Sequence, residues 1–318
     1  MVEESESFLG IDVGTSAVKA LVVSASGNIL AEAEVQQPVA HPRPTWSEQS
    51  PELWWQSTKT AISKVIKSVK STHRKIEICA IGLSGQMHSS VFLDNDKNVI
   101  RPAILWNDSR TSKQCHEITN LLGLDTMHRT IGNLALEGFT APKILWLREK
   151  EPENYSSLST LLLAKDYIRF KLTGELATDP SDASGTILYD VHEKDWSTEV
   201  TSALEIDRCI LPKVVGSTEI SGVVKPSLCE ELGLPKGTPV VGGGADNAAG
   251  AVGCGVQDEG QIQVSLGTSG TLLAPTRGPQ VDKDMRLHTF CHSVPNRWYM
   301  MGTILSAGDS LRWLKNIV

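Results

Sequence analysis

Near its N-terminus the chain reads Phe8-Leu-Gly-Ile-Asp-Val-Gly-Thr-Ser-Ala-Val-Lys-Ala-Leu-Val-Val23, which predicts two β-strands joined by a tight turn. Apolar residues alternate on both sides of the turn, as in half-buried strands: Leu9, Ile11 and Val13 before it, and Val18, Ala20 and Val22 after it. Gly14 permits the close turn, and Thr15 and Ser16 add hydroxyl groups. The turn therefore offers N–H and O–H donors that suit phosphate oxygens.

A carboxylate interrupts the first of these strands. Asp12 lies in an otherwise apolar segment, two residues before Gly14. A carboxylate in such a place costs stability unless it has a partner, and a hydrated metal ion is one such partner. Lys19 could reach a phosphate or lie in solvent, since the spacing is not that of a P-loop.

A second copy of the design occurs in Val264-Ser-Leu-Gly-Thr-Ser-Gly-Thr-Leu-Leu-Ala274. Gly267 corresponds to Gly14, and Ser265 takes the place of Asp12. Repeated units predict two related lobes, each with a phosphate-binding hairpin that faces one cleft. Two unrelated hairpins are the alternative, because Gly-Thr-Ser is common in turns.

Composition limits the class of protein. A chain of 318 residues should form about two domains. Its net charge of −7 argues against a general nucleic-acid or membrane-surface binder. No apolar run approaches the roughly 18 residues of a transmembrane helix, and the acidic N-terminus lacks the features of a signal peptide. Six scattered cysteines indicate free thiols, so we expect a cytoplasmic protein.

The remaining pattern alternates strands and helices. A third strand is expected at 29–35, a buried parallel strand at 76–83, and a loop at 179–185. Helices are expected from Ser50-Pro51-Glu52 onward and at 111–124, 139–149, 165–172 and 306–318.

Polar residues follow two of the predicted strands. Gln86-Met87-His88 comes after the buried strand, and Trp106-Asn107-Asp108-Ser109-Arg110 follows 104–105. Ligands of open α/β sheets bind beyond the carboxyl ends of strands, and these side chains could bind a polyol. Taken singly, His88 could equally be a structural histidine and Trp106 a core residue.

A third glycine-rich segment, Gly242-Gly-Gly-Ala-Asp246, follows a short strand and opens a helix. This places the Asp246 carboxylate at a helix N-terminus beside an open backbone, where it could accept the proton of an alcohol during phosphoryl transfer. Two alternatives stay open. Asp246 could merely cap the helix, and the glycines could be an imperfect dinucleotide fingerprint.

These segments together resemble the FGGY carbohydrate kinases over nearly the whole chain. The matching motifs are Gly10-Ile-Asp-Val-Gly-Thr-Ser16, Trp46-Ser-Glu-Gln49, Gly85-Gln-Met-His88, Arg101-Pro-Ala-Ile-Leu-Trp-Asn-Asp108, Gly138-Phe-Thr-Ala-Pro-Lys143, Lys165-Asp166-Tyr167, Asp246-Asn-Ala-Ala-Gly250 and Ser265-Leu-Gly-Thr-Ser-Gly270. The resemblance implies an α/β protein of the ribonuclease H-like, actin-like ATPase fold. Its two lobes would have mixed five-stranded-type sheets flanked by helices, a sugar-binding lobe at 1–245 and the beginning of a nucleotide-binding lobe at 246–318.

The resemblance also implies roles for individual residues. Asp246 would be the proton acceptor, and Asp12 would help to hold Mg²⁺, with Asp246 as a second metal ligand. The expected sugar contacts are Gln86, Met87, His88, Trp106, Asp108 and Asn247. The residues expected to line the ATP phosphates are Gly14, Thr15, Ser16, Gly267, Thr268 and Ser269.

The expected reaction is ATP-dependent phosphorylation of D-xylulose, because Gln86-Met87-His88 resembles the xylulose branch where glycerol kinases carry Arg-Glu. Family members have a longer second lobe with a glycine-rich turn at the adenine, so we expect a truncated kinase that binds ATP weakly or not at all. The alternatives are a kinase for another ketose or polyol, such as ribulose, and a non-catalytic sugar-binding lobe. We expect neither nucleic acid nor membrane as partner, and a homodimer stays open.

Overall fold

A computed structural model describes residues 6–72, 76–267 and 269–317. The strands of these residues are β1 (Glu6–Val13), β2 (Ala17–Ser24), β3 (Ile29–Gln36), β4 (Glu48–Gln49), β5 (Glu77–Gly85), β6 (Val91–Leu93), β7 (Ala103–Ile104), β8 (Thr160–Leu162), β9 (Ala177–Thr178), β10 (Tyr189–Asp190), β11 (Asp195–Trp196), β12 (Lys213–Val214), β13 (Ile220–Val223), β14 (Pro239–Val241), β15 (Gly244–Ala245), β16 (Gln263–Leu266), β17 (Gly270–Thr276), β18 (His288–Cys291) and β19 (Trp298–Ile304). The helices are α1 (Pro51–Thr72), α2 (Ser112–Thr126), α3 (Thr140–Lys150), α4 (Pro152–Ser157), α5 (Ala164–Thr173), α6 (Pro180–Ala183), α7 (Thr198–Ala203), α8 (Pro226–Leu232), α9 (Asp246–Gly253) and α10 (Gly308–Ile317).

The central sheet has the strand order β13-β14-β5-β1-β2-β3, with β15 paired to the end of β5. Strands β1, β2 and β3 form an antiparallel meander, whereas β5 runs parallel to β1, β14 and β15. The predicted third strand and the predicted parallel strand are therefore confirmed. The mixed sheet flanked by helices is also confirmed, with β13 and β15 added to the expected five strands.

The first hairpin forms part of the core of this sheet. The predicted alternation is confirmed, because Leu9, Val13 and Val18 are fully buried. Helix α1 begins at Pro51, as the sequence predicts, and packs on β2 and β3. Its buried Trp54 and the apolar residues that follow at helical spacing cover the hairpin and keep water from the sheet.

A second, antiparallel sheet has the order β16-β17-β19-β18. Strands β16 and β17 form the second predicted hairpin, and α10 confirms the predicted helix near residue 306 except for Val318, which lies outside the described residues. Several apolar side chains of this region are exposed, among them Val264, Leu266 and Leu272.

The prediction of a loop at 179–185 is wrong. Helix α6 and a 3₁₀ turn at Ser184–Thr186 occupy this segment, and their residues are buried except for the half-buried Pro180. The polar side chains bond to the protein instead of to water. Asp179 accepts the N–H groups of Ser181 and Asp182 at the start of α6. Polar composition alone favours a loop in water. Here hydrogen bonds within the protein satisfy the polar groups, so the segment can be buried as a helix.

None of the helices in the described residues is both long enough and apolar enough to cross a membrane. The six cysteines are free thiols, and three of them, Cys115, Cys229 and Cys291, are buried.

Candidate active site

Three parallel strands end side by side at one edge of the central sheet. Asp12 of β1 lies opposite Ser84 of β5, and Ser84 lies opposite Gly244 of β15. Polar residues follow at once, since Gln86 comes directly after β5 and Asp246 directly after β15. Because carboxyl ends of parallel strands meet at one edge, the segments predicted to bind phosphate, sugar and proton converge there.

Asp246 is the first residue of α9, and its side chain is exposed. Ala245 occupies the N-cap position, and Asp246 Oδ1 accepts the first-turn N–H of Asn247 at 2.7 Å, so a capping role for Asp246 stays open. Protein atoms crowd around the carboxyl group even though water reaches it. This desolvation and the charge of Asp12 raise the pKa of Asp246 to about 7. Access of water makes this rise in the pKa of Asp246 smaller but does not change its direction.

The glycines before Asp246 do not form an open backbone surface, which corrects that expectation. A Cβ on Gly242 would overlap the carbonyl oxygen of Gly216, and one on Gly244 would overlap Ser293 Oγ. Gly243 has φ +70°, and a Cβ there would overlap the carbonyl oxygen of Leu83. Glycine is required here for close packing and a left-handed turn, which fix the path of the chain into Asp246.

Asp12 is half-buried, and its Oδ1 is buried without a hydrogen-bond partner among the described residues. Burial raises the pKa of Asp12, although Lys19 on the neighbouring strand lowers it. Lys19 itself is exposed beside Glu34, 3.6 Å away, so this structure has the solvent alternative for that lysine. An unpartnered carboxylate oxygen at this edge of the sheet is suited to a cation.

Gln86 connects the first hairpin to the loop expected at the sugar. Its Oε1 accepts from Thr15 Oγ1 at 3.1 Å and from Ser89 Oγ at 2.9 Å. Its Nε2 donates to Gln49 Oε1 at 3.2 Å, and Gln49 Nε2 donates to the carbonyl of Thr15 at 2.7 Å. Gln86 is buried. This arrangement gives Gln86 the task of positioning Thr15, and a sugar contact by Gln86 stays a prediction.

His88 is held in an unusual backbone conformation, with φ +64°. Its carbonyl accepts from Lys143 Nζ at 2.9 Å and from Thr140 Oγ1 at 3.2 Å. Its Nδ1 lies 2.6 Å from the carbonyl oxygen of Gly185, and its ring packs on Phe139 at 4.6 Å. A carbonyl can only accept, so Nδ1 carries the proton and Nε2 is left as an acceptor.

Burial and the nearby Lys143 lower the pKa of His88 to about 3, so the ring is neutral at physiological pH. Lys143 is itself buried, and desolvation lowers its pKa to about 7. Lys143 ends the motif Gly138-Phe-Thr-Ala-Pro-Lys143, and the sequence predicted no structural or functional role for it. Its position before the apolar run Ile144-Leu-Trp-Leu147 was the available signal, because a lysine in a buried helix needs a specific acceptor.

Asn247 joins the two sheets at this site. Its Nδ2 donates to Asp246 Oδ1 at 2.9 Å and lies 3.9 Å from Met87 Sδ. Thr271 Oγ1 of β17 donates to Asn247 Oδ1 at 3.4 Å, and Thr271 pairs with Ser265, the counterpart of Asp12. The second hairpin therefore reaches Asp246 through Thr271, a residue to which the sequence interpretation gave no role.

Trp106 and Asp108 lie on the same segment but have different surroundings. Trp106 is half-buried and donates from Nε1 to Thr15 Oγ1 at 2.9 Å. Asp108 is buried, and its Oδ2 accepts the N–H of Ser47 and Arg110 Nη2, both at 2.6 Å. Asp108 Oδ1 also binds Arg110. These bonds occupy both oxygens of Asp108, so the predicted sugar contact is not supported here and Asp108 instead organises its own loop.

The two turns that the sequence predicts to contact phosphate differ in their surroundings. In the first, a Cβ on Gly14 would lie 3.0 Å from the carbonyl oxygen of Ala17, and Ser16 is exposed. In the second, the Gly267 N–H donates to the carbonyl of Ser269 at 2.9 Å. Thr268 lies outside the described residues. The structure thus brings Asp12, Asp246, Asn247, Met87 with the adjacent His88, Trp106 and the first turn to one region. The second hairpin joins this region through Thr271, whereas Gln86 and Asp108 bond internally.

A mixed sheet with a glycine-hydroxyl hairpin at its ligand edge defines the class of actin-like ATPase folds. Comparison with known families is more specific. The chain belongs to the FGGY family of carbohydrate kinases, because the model of that family's N-terminal domain matches residues 7–253.

Individual relatives agree with this family. The chain is 43% identical over 310 residues to a xylulose kinase of Staphylococcus xylosus, covering 98% of this chain and 63% of that protein. It is 42% identical to a xylulose kinase of Escherichia coli K12, covering 96% and 62%. The crystal structure of a "xyloylose kinase" from Brucella ovis superposes with a TM-score of 0.92 at 38% identity, covering 98% and 63%. The chain therefore spans less than two thirds of the length of these relatives.

Proposed function

We propose that this protein transfers the γ-phosphoryl group of ATP to the terminal hydroxyl of D-xylulose, forming D-xylulose 5-phosphate and ADP. The observation that carries the proposal is that Asp12 and Asp246 lie at the ends of strands paired to β5, close enough for the charge of Asp12 to raise the pKa of Asp246. Met87, the residue before His88, lies against Asn247 beside this pair. The relatives at 42% and 43% identity are xylulose kinases, which supports this substrate. We also propose that residues 246–318 begin the nucleotide-binding lobe and that the protein is cytoplasmic.

Asp246 acts as the general base in this proposal. The hydroxyl oxygen of the ketose forms a bond to the γ-phosphorus while the bond from that phosphorus to the β,γ-bridging oxygen breaks. The hydroxyl proton passes to Asp246, and ADP leaves with the electron pair. A base with a pKa near the working pH serves this task well, and the raised pKa of Asp246 moves it in that direction. The loose transition state makes correct positioning of the hydroxyl the larger contribution.

Magnesium would be held by Asp12, with Asp246 as a second ligand. Mg²⁺ keeps much of its water and often binds only one or two carboxylates together with substrate phosphates, so a dedicated cage is not needed. The unpartnered Oδ1 of Asp12 fits the donor that this requires. When bound, the ion neutralises charge on the phosphates of ATP.

The ketose would lie between the loop after β5 and the start of α9. His88 Nε2 can accept from a sugar hydroxyl, because Nδ1 already donates to Gly185. The Asn247 amide lies beside Asp246 and can bind a neighbouring hydroxyl, while Met87 and the indole of Trp106 can pack on C–H surface. These groups would orient the terminal hydroxyl toward Asp246.

Replacement of the base is the direct test. Asp246→Asn keeps the size and shape of the side chain and removes its proton-accepting oxygen. With the longer second lobe of family members present, we expect kcat for D-xylulose, measured by coupled ADP release, to fall about 10²- to 10⁴-fold with little change in KM. Asp125→Asn is the matched control, because Asp125 is exposed near the end of α2 and is not one of the residues of the candidate site. It should keep wild-type kinetics.

A substrate panel separates the alternatives. D-xylulose should have a higher kcat/KM than D-ribulose or glycerol, and a preference for either of those would reassign the substrate. Binding of D-xylulose without any turnover would favour the non-catalytic sugar-binding alternative. Normal turnover by the Asp246→Asn variant would remove Asp246 as the base.

A further inference from the structure

A group of charged side chains is buried beneath the loop that leads into Asp246. Lys165 Nζ lies 2.7 Å from Asp166, 2.8 Å from Asp179 and 2.9 Å from Asp182. Arg169 Nη1 shares Asp166 Oδ1 at 2.8 Å. None of these side chains is more than 1% exposed. We call these five residues the ion cluster.

Stability alone is a poor explanation for the ion cluster. Buried ion pairs lose hydration, and apolar residues of the same volume often stabilise a protein as well or better. Three carboxylates face two cations, and burial together with the neighbouring carboxylates raises the pKa of Asp182 to about 8. A proton on Asp182 at neutral pH brings the cluster close to zero net charge. The atoms Asp179 Oδ2, Arg169 Nη1 and Arg169 Nη2 make hydrogen bonds, and buried hydrogen bonds of this kind hold their partners in place.

The first link from the ion cluster to the site runs through Ser181. Asp179 Oδ2 accepts from Ser181 Oγ at 2.6 Å and from the Ser181 N–H at 2.9 Å. Ser181 Oγ in turn accepts the backbone N–H of Ala245 at 2.9 Å. Ala245 is the N-cap of α9 and the residue directly before Asp246. Asp179 thus orients the hydroxyl that holds the peptide group leading into Asp246.

The second link runs through Arg169. Its Nη2 donates to the carbonyl oxygen of Gly242, and its Nη1 donates to the carbonyl oxygen of Ala177. The segment from Gly242 to Ala245 is therefore bound to the ion cluster at both of its ends. The close packing of its three glycines leaves it little room to shift.

We propose that the ion cluster positions the Asp246 carboxylate for proton acceptance, with Ser181 and Arg169 as the positioning residues. This inference rests on the proposed role of Asp246 as the base. A small displacement of a reacting group can reduce a rate about 10²-fold. The reaction therefore requires that the backbone leading into the base stay fixed.

Two serine variants separate positioning from stability. Ser181→Ala removes the acceptor of the Ala245 N–H. Ser217→Ala is the matched control, because Ser217 Oγ donates to the same Asp179 Oδ2 at 2.9 Å but makes no bond to Ala245. We expect Ser181→Ala to lower kcat about 10- to 100-fold with KM for D-xylulose nearly unchanged. Ser217→Ala should stay within about threefold of wild type, on the same scale of rate effects.

A second readout does not depend on turnover. Amide hydrogen exchange of Ala245, followed by NMR, should be at least about tenfold faster in Ser181→Ala and unchanged in Ser217→Ala. Equal losses of kcat in the two variants, or unchanged exchange at Ala245 in Ser181→Ala, would overturn the positioning role. Full turnover by Asp246→Asn would instead remove the proposed base while leaving the exchange result intact, so the two failures are distinguishable.

Discussion

The two hairpins carry the same sequence design and have very different surroundings. In the first hairpin, Ile11 is 2% exposed and Val13 is 0% exposed. The corresponding residues of the second hairpin are 61% exposed at Val264 and 80% exposed at Leu266. The difference comes from neighbours, because β1 lies between β2 and β5 and contacts α1, whereas β16 pairs with β17 alone among the residues that the structure describes. Alternation of apolar residues thus predicts a strand without predicting what covers it.

The largest expected effect is on stability. Ile11→Ala should lower the free energy of unfolding by about 2–5 kcal/mol, because it leaves a cavity in the core of the first hairpin. Val264→Ala should change it by less than about 0.5 kcal/mol, because its side chain is already mostly in water. Urea denaturation followed by circular dichroism measures both. Similar losses in the two variants would contradict the contrast between the hairpins.

A smaller effect is expected at the turn glycines. A Cβ on Gly14 would lie 3.0 Å from the carbonyl oxygen of Ala17 and 3.5 Å from Asp12 Oδ2, whereas at Gly267 the nearest atom is 3.8 Å away. Neither glycine has a positive φ. Gly14→Ala should therefore cost about 1–3 kcal/mol, and Gly267→Ala should be neutral or slightly stabilising. Thermal unfolding of both variants checks this, and greater damage at Gly267 would reverse our ranking.

Local pattern predicted much of the fold. The first hairpin, α1 and the parallel strand β5 followed from apolar spacing and a Ser-Pro-Glu helix start, both of which depend on residues near in sequence. The prediction of a loop at 179–185 was wrong, because polar residues of this segment bond to Lys165 and Ser217, which lie elsewhere in the chain. Sequence pattern cannot show that a polar side chain has a distant partner.

The same limit applies to the candidate site. The convergence of Asp12, Asp246 and the loop with Met87 and His88 could be anticipated, because each follows or ends a predicted strand. The complete use of both oxygens of Asp108 could not be anticipated, because one of its donors, Ser47, is 61 residues away in sequence. The task of Ser181 was also hidden, because its contact with Ala245 spans 64 residues.

The central claim is that Asp12 and Asp246 share one cleft, and their electrostatic coupling tests it most directly. The charge of Asp12 helps to raise the pKa of Asp246 to about 7, so Asp12→Asn should lower that pKa toward its ordinary value of 3.8. Ser265→Ala, the equivalent change in the second hairpin, removes no charge and should leave it unchanged. NMR titration of carboxyl-labelled aspartate gives the pKa of Asp246 in wild type, Asp12→Asn and Ser265→Ala. The Asp246→Asn variant identifies the signal of Asp246. A fall in Asp12→Asn alone supports the account, and the same pKa for Asp246 in Asp12→Asn and wild type would contradict it.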